Sequence, residues 1–439
     1  MNLKYKKYDN YKPSGVEWLG DMPEHWEVFS LKRLVKSPLK YGANEPAFFN
    51  DRNLPRYIRI TDFGNNGNLK SNTFKSLPLK KAKDYLLEEG DLLFARSGAT
   101  VGKTFLFQNY KGLACFAGYL IKASFNQEKC NFKFIYYCTK SGYYNNWKNS
   151  IFIQATIQNI GADKYNLLPI PLPTLTEQTA IANFLDRKTA QIDKAIAQKE
   201  QLIELLKERR QILIHEAVTQ GLDKSVEMKD RGVEWVGEVP KHWEVKKLGY
   251  LTTRIGDGLH GTPNYTDDAT YYFINGNNLG NEKIKITEQT KTVNIKEYLL
   301  HKKDLSGNTI LLSINGTIGN VSYYNYEPIM LGKSAAYINL LSNVNIRYIR
   351  LFLQSSIFKN YYELELSGST IKNLSLHSIG KTPIVIPPKE EQQEIVSYIE
   401  AQNEKIKTAI KLKQQEIASL KEYKTVLIDA AVTGKVIVD

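Results

Sequence analysis

Cysteine is scarce in this chain: there are three in 439 residues, Cys115, Cys130 and Cys138. None stands in a C-x-x-C pair and no histidine adjoins them, so neither a disulfide framework nor a metal site is expected. The six histidines are scattered along the length. No apolar run approaches the ~20 residues needed to cross a bilayer. The opening stretch, MNLKYKKYDNYKP, carries charge with no apolar core behind it. A secretion leader is therefore not expected, and the cytoplasm is the expected compartment. Also missing is the amino-methyltransferase signature, Asn or Asp followed by Pro-Pro and an aromatic. The only Pro-Pro, Pro387-Pro388, lies between Ile386 and Lys389. No catalytic residue is expected.

What is present begins with charge. Lys and Arg exceed Asp and Glu by 13, and a basic chain of this size favours phosphate-rich partners, because each cation placed on a phosphate releases counterions. A hydrophobic content of 42% supports globular packing, and the length calls for more than one domain.

The decisive feature is a duplication. Residues 15–28 read GVEWLGDMPEHWEV and residues 232–245 read GVEWVGEVPKHWEV, identical at ten of fourteen positions. A second pair follows: PIPLPTLTEQTAIANFL (169–185) matches PIVIPPKEEQQEIVSYI (383–399), with Glu177/Glu391 and Gln178/Gln392 in step. The offset is 217 residues for the first pair and 214 for the second. His25 and His242, beside Trp26 and Trp243, sit in the repeated lead-in motif, where a packing or turn role is expected.

After each Pro-rich run, Thr176-Glu177-Gln178 and Glu390-Glu391-Gln392 can start a helix. Apolar residues then recur every three or four positions: Ile181, Leu185, Ile192, Ala195, Leu202, Leu206 and Leu213, then Ile395, Ile399, Ile406, Ala409, Leu420 and Leu427. This is a coiled-coil stripe interrupted by Lys188, Lys199 and Arg209. No Gly or Pro breaks either run for about 43 residues, roughly 65 Å of helix. One such helix cannot bury its stripe alone. Either the two helices pair, antiparallel by the logic of the repeat, or each packs on its own globular module. The modules, roughly 29–168 and 246–382, read as mixed α and β, with short apolar runs such as YIRI, DLLFA, YYFI and TILLSI between Gly- and Asn-rich turns.

These motifs give the chain a resemblance to the specificity subunit of type I restriction–modification systems: a GVEWLGxxPxHWE opening, a variable module, a PIPLPxxxEQ close, a long helix, then the same again. The resemblance covers nearly the whole chain. It implies an α+β fold of two mixed α/β target-recognition domains joined by two long antiparallel coiled-coil helices in a pseudo-two-fold internal repeat. The expected boundaries are an arm at 1–14, a first recognition domain at 15–174, a first spacer helix at 175–221 and a linker at 222–231. A second recognition domain at 232–388, a second helix at 389–434 and a tail at 435–439 follow. By resemblance the chain itself is non-catalytic and holds no cofactor. Each module reads one part of a split, asymmetric site on double-stranded DNA, and the helices space the modules and dock two methyltransferase (modification) subunits. Those partners supply adenine methylation with S-adenosylmethionine. A restriction/translocase subunit supplies ATP- and Mg-dependent translocation and cleavage. A rigid rod suits this physically, since half-sites on one face of DNA lie about 34 Å apart.

Loops offering donors to a backbone or base edge are the candidates for DNA contact. In the first module they are Lys40, Tyr41 and Asn44, then Arg59 with Thr61, then Arg96, Ser97 and Lys103, and then Gln154 and Gln158. In the second they are His260 and Thr262, then Asn275, Asn277 and Asn278, then Ser313 and Asn315, and then Lys372. Thr156 and Asn159, matched by Thr370 and Asn373, are the same in both halves and are expected to bond backbone or hold a turn rather than set specificity.

Two rival functions stay open. RSGATVGKTF (96–105) ends like a phosphate-gripping P-loop, which would make the chain a nucleotide-binding enzyme, although Gly98 and Gly102 have three residues between them where G-x-x-x-x-G-K-[ST] needs four. At the same offset of 217 the other half reads SINGTIGNVS (313–322), setting Arg96 against Ser313 and Lys103 against Asn320. The shared part is then a glycine-bearing turn between strands. The other rival is a structural scaffold that touches no DNA. The duplication also predicts that the chain's two ends lie close together, and that a circular permutant opened near residues 222–229 folds.

Overall fold

The computed structural model describes residues 5–64, 67–153, 159–233, 236–366 and 372–438. It divides into two compact units: Met1–Glu200 with Lys413–Asp439, and Gln201–Leu412. Each long helix therefore gives one half to each unit.

In the first unit the globular module opens on the strand Glu27–Ser30 and closes on Pro169–Leu172. The two pair antiparallel, with Ser30 opposite Pro169 and Glu27 opposite Leu172. A two-stranded ladder suits the Pro-rich segment, because each strand is paired on one side only and a missing N–H can face away. Everything between is an excursion that returns to its starting point. Its core is an antiparallel sheet in the order Lys40–Tyr41, Leu120–Ala123, Leu92–Ala95, Thr104–Leu106. A parallel pair, Arg56–Ile58 with Ala114–Phe116, adds to it. All four residues of Leu92–Ala95 are buried, which is why that strand reads as a continuous apolar run.

The second unit repeats the plan. Glu244–Lys247 pairs with Pro383–Ile386, and the sheet runs Thr252–Asp257, Ala335–Leu340, Thr309–Ser313, Val321–Tyr323. Here Tyr271–Ile274 pairs in parallel with Ile329–Leu331 and antiparallel with Thr292–Val293.

The long helices span Leu175–Gln220 and Lys389–Val432, 46 and 44 residues. Within the first unit their paired residues run in opposite directions, Asp193 with Lys424 (2.7 Å) and Lys199 with Glu416. Within the second, the Arg210 Nε–H donates to Asn403 at 2.9 Å, and Leu206, Ile406 and Ile410 share one core. Both expected packings occur together, because each helix also grips a module. Lys133 and Tyr137 bind Asp186 at 2.6 and 2.7 Å, while Asp429 accepts the N–H groups of Gly142 and Tyr143 that open the Gly142–Ile153 helix. The matching position in the second unit is His215, bonded to the Ser356 hydroxyl at 2.8 Å.

One part of the stripe differs from the sequence expectation. The buried seam passes through Ile196 and Ile203, whereas Ala195 is only partly covered and Leu202 is 40% exposed. Alternating steps of three and four from Ile192 reach Ile196, Lys199 and Ile203, the heptad register. Ala195 and Leu202 lie one residue off it.

The structure explains why the two repeated motifs occur as a pair. His25 of the lead-in motif binds Glu177 at 2.9 Å, and His242 binds Glu391 at 2.6 Å. Trp243 adds an indole N–H to Glu391 at 2.8 Å. The neighbouring glutamines are buried and donate to the carbonyls of Pro173 and Pro387, at 2.9 and 2.8 Å. Glu thus ties the helix to the lead-in motif, and Gln ties it to its own preceding strand. Trp26 and Trp243 are fully buried. Each meets the glycine that stops a long helix: a Cβ on Gly434 would lie 3.4 Å from Trp26, and one on Gly221 3.1 Å from Trp243. Both glycines hold positive φ, near +70° and +72°, a conformation other residues adopt only at a cost.

The chain's ends meet in the first unit, where the Ile437 N–H donates to the Lys6 carbonyl at 2.7 Å and the Tyr11 hydroxyl to the Gly434 carbonyl at 3.1 Å. Residues 222–225 are exposed. A permutant with its ends joined by a short linker and reopened there is expected to keep its cooperative unfolding within about 1 kcal/mol, since only loop closure changes. Chemical denaturation followed by circular dichroism checks this, and loss of the cooperative transition contradicts it.

Candidate DNA-reading turns

Hydrogen bonds fix which residues of the two modules correspond. The Arg96 N–H donates to the Tyr119 carbonyl (3.1 Å), and its own carbonyl accepts from Ile160 (2.8 Å). In the second module Ile314 does both, donating to Ser334 and accepting from Leu374, each at 3.0 Å. Ala95 accepts from Gly102, and Ser313 accepts from Gly319. Arg96 therefore corresponds to Ile314, not to Ser313 as the constant offset implied. The first turn has one residue more than the second, so the offset is 218 before the turn and 217 after it. Lys103 remains opposite Asn320.

This turn joins antiparallel strands, Leu92–Ala95 to Thr104–Leu106. A P-loop requires a helix whose first N–H groups face the phosphate. Here a strand follows, and Gly98 and Gly102 hold the turn at φ +76° and +80°. The nucleotide-site likeness is confined to the letters.

Around the turn the first module gathers several candidates. Arg96 stacks on Tyr41, its guanidinium carbon 4.9 Å from the ring centroid. The Arg96 Nε is buried without a partner among the described residues. The Tyr41 hydroxyl accepts the Ala162 N–H at 2.9 Å, and Ser97 is bridged to Asn159. Asn159 thus takes the turn-holding place expected of it, as does Asn373, bridged to Asn315. Asn44 and Lys103 are exposed nearby in sequence. Gln154, Gln158, Thr156 and Thr370 lie outside the described residues. Lys40 is exposed, its ammonium donating to the Asp84 carbonyl.

Gly42 and Gly258 show why these loops sit where they do. A Cβ on either would fall within about 2.3 Å of the carbonyls of Phe116 and Ala117, or of Leu331. The chains cross there, so that Ala43 bridges Ala117 and Leu259 bridges Gly332. Tyr41 and Asn44 consequently correspond to Asp257 and His260, which bind each other at 2.7 Å. Thr262 and Lys372 are exposed.

Other candidates are committed inward. Arg59 binds Asp62, which is fully buried, at 3.1 Å and the Thr73 carbonyl at 2.6 Å. It caps the short turn Ile60–Asp62, with Thr61 exposed at its tip. Asn275 and Asn278 form the same reciprocal cap over Gly276–Asn278, leaving Asn277 exposed. Asn275 also accepts the Ser334 hydroxyl at 3.0 Å. Ser313 is fully buried and its hydroxyl accepts the Asn320 N–H at 2.8 Å. Asn315 is half-buried on the turn itself.

Two residues absent from the sequence expectation belong at this face. Tyr119 is 62% exposed, and Lys333, on the tight turn before Ser334, is also exposed. Each sits just before a strand that is largely buried, Leu120–Ala123 and Ala335–Leu340. Only the turn bonds, Gly118 to Ala43 and Lys333 to Leu259, turn them outward. Among the described residues no cluster of His, Cys, Asp and Glu could hold a metal ion, and no helix is long and apolar enough to cross a membrane.

Two closed modules on long helices, each presenting the same turn with different side chains, define a DNA specificity architecture. Residues 23–205 and 240–422 each match the type I restriction modification DNA specificity domain, and the chain belongs to that family. It is 25% identical over 406 residues to the type I restriction enzyme EcoKI specificity subunit of Escherichia coli K12, covering 87% of this chain and 82% of that protein. It is also 23% identical over 458 residues to the putative MjaX specificity subunit of Methanocaldococcus jannaschii, covering 99% and 98%. In fold it is similar to a solved chain from a study of assembly and conformational transition in the type I R-M system, with TM-score 0.69 at 15% identity over 94% of this chain and 98% of that one. The HsdS subunit of Thermoanaerobacter tengcongensis gives TM-score 0.50 at 14% identity over the same shares.

Proposed function

We propose that this non-catalytic specificity subunit reads a split, asymmetric site on double-stranded DNA, one part with each module. The observation that carries this is the matched turn. A backbone frame matched bond for bond, with one residue more in the first module's turn, displays Tyr41, Asn44, Arg96, Tyr119 and Lys103 in one module, and Asp257, His260, Ile314, Ser334 and Asn320 in the other. A fixed frame with exchanged donors, acceptors and apolar groups is what reading two different sequences requires. Arg reads guanine edges, Asn and Gln read adenine, and Lys holds phosphate.

The long helices set the separation of the two readings and dock two methyltransferase subunits. Those partners bring S-adenosylmethionine for adenine methylation, and restriction/translocase subunits bring the ATP- and Mg-dependent steps. The work takes place in the cytoplasm, where the DNA is. The paired strands that open and close each module make it an exchangeable unit, since an excursion that begins and ends side by side can be replaced without moving the helices.

Methylome sequencing of cells carrying the chain with its partners tests this reading. Replacing residues 29–168 by another module is expected to change one half of the methylated motif and leave the other half and the spacer intact. A change in both halves, or in neither, defeats it. Partner-loaded protein that shifts all DNA fragments equally would favour a scaffold.

A further inference from the structure

We propose that the second unit also holds a backbone phosphate of the duplex it reads, in a crevice between the Ile346–Leu353 and Ser356–Glu365 helices and the first long helix. The crevice measures about 420 Å³, and its lining includes Arg210, Lys359, Gln354, Ser356, Tyr362 and Gly319. Among the described lining residues there are two cations and no carboxylate.

The site carries more positive than negative charge among the described residues. Arg350, only 3% exposed, lies behind it, its guanidinium stacked 4.6 Å from the Tyr323 ring centroid and donating to the Asn281 carbonyl at 2.8 Å. It pairs with the half-exposed Glu282 at 3.3 Å, and its Nε is unpartnered among the described residues. Burial, and then the charge of Arg350, draw Arg210 below the ordinary guanidinium value. Two guanidinium groups in one poorly solvated place repel each other, Glu282 offsets part of that, and an anion in the crevice beside Arg210 offsets more. Lys359 is exposed, with Glu363 3.8 Å away on the next turn.

The first unit shows what the second lacks. At the offset of 214, Arg210 corresponds to Lys424 and Arg347 to Lys133. The first unit's crevice, about 400 Å³, contains its own acids: Asp193 takes Lys424 with both oxygens at 2.7 Å, and Asp186 takes Lys133 at 2.6 Å. Glu400 still answers Arg347 at 3.4 Å, but the residue corresponding to Asp193 is Lys407. In the first crevice two of the three lining lysines, Lys133 and Lys424, meet acids of the same crevice, and the third, Lys140, donates to the Thr104 carbonyl at 2.8 Å; among the described residues the second crevice has no lining carboxylate for either of its cations.

A phosphate is favoured over a partner's carboxylate because Gly319 belongs both to the crevice and to the turn that carries Asn315. DNA read by that turn brings its backbone to the same place. The inference rests on the DNA-reading function proposed above.

The test uses Lys359→Gln, Arg210→Gln and the double variant, each assembled with the methyltransferase subunits. Binding to a cognate duplex and to singly substituted duplexes is followed by fluorescence anisotropy between about 50 and about 200 mM salt. The slope of log affinity against log salt is expected to flatten by about one for each cation lost, with every duplex weakened by the same factor. Lys359→Gln carries the test if Arg210→Gln, which also loses the bond to Asn403, misfolds. An unchanged slope in Lys359→Gln overturns the inference, as does a defect confined to association with the methyltransferase in the absence of DNA. Wild-type complex that shows no preference among duplexes defeats the proposed function instead, and the salt slope still decides the crevice.

Discussion

Truncating Trp243 to alanine is expected to destabilise the protein by about 3–5 kcal/mol, the range for deleting a fully buried aromatic side chain. The indole is completely enclosed, it donates to Glu391 at 2.8 Å, and it abuts Gly221 where the first long helix ends. Removing it opens a cavity where the lead-in motif, the closing motif and the helix terminus converge, and leaves Glu391 with His242 alone. Trp243→Phe keeps most of the volume and loses the hydrogen bond, so a cost of about 1 kcal/mol is expected. Glu17 lies in the other copy of the same motif but is exposed, and Glu17→Gln is expected to stay within about 0.5 kcal/mol. Urea denaturation read by circular dichroism checks all three, through a lower midpoint at unchanged slope for Trp243→Ala. A wild-type midpoint for that variant would mean that the repeated motif is kept for something other than packing.

Replacing Arg96 by alanine is expected to relax reading in one half of the DNA site. A good bidentate contact to a base pair discriminates by about 1–3 kcal/mol, roughly 5- to 150-fold. The proposed function assigns Arg96 such a contact: Tyr41 stacks on its guanidinium, and backbone bonds to Tyr119 and Ile160 hold its main chain on both sides. The penalty for substituting base pairs in one half-site should shrink, and the penalties in the other half should not move. Lys103→Ala, at the residue directly before the returning strand Thr104–Leu106, should instead weaken all duplexes alike and flatten the salt dependence, as loss of a phosphate contact does. Titrating partner-loaded protein against a panel of singly substituted duplexes separates the two. Penalties that shrink in both halves, or in neither, would remove Arg96 from the reading surface.

The long helices and the duplication were legible because both are local or repetitive signals. A stripe recurring every three to four residues states a helix wherever it occurs, and ten identities in fourteen residues state a copy. The same logic failed by one residue at the seam, where Ala195 and Leu202 stand beside Ile196 and Ile203. Both choices fit a short stretch of the pattern, and only the facing helix distinguishes them.

The candidate site was legible in outline only. Arg59 and Arg96 look equally available in sequence, each ending a short apolar strand. Asp62, three residues on and fully buried, locks Arg59 into a cap, whereas among the described residues no carboxylate pairs with Arg96. Ser313 reads as a loop donor and is enclosed. Tyr119, which no sequence signal singles out, stands outside.

The sequence by itself determined that this protein is built twice, that each copy is a module followed by a long helix, and that its charge suits nucleic acid. Periodicity, repetition and composition are properties of the chain alone. Only the tertiary structure decided that His25 and Glu177, 152 residues apart, close one module as His242 and Glu391 close the other. It also decided that Arg96 answers Ile314. Those outcomes depend on which distant backbone groups complete each other's hydrogen bonds, and no local pattern records that choice.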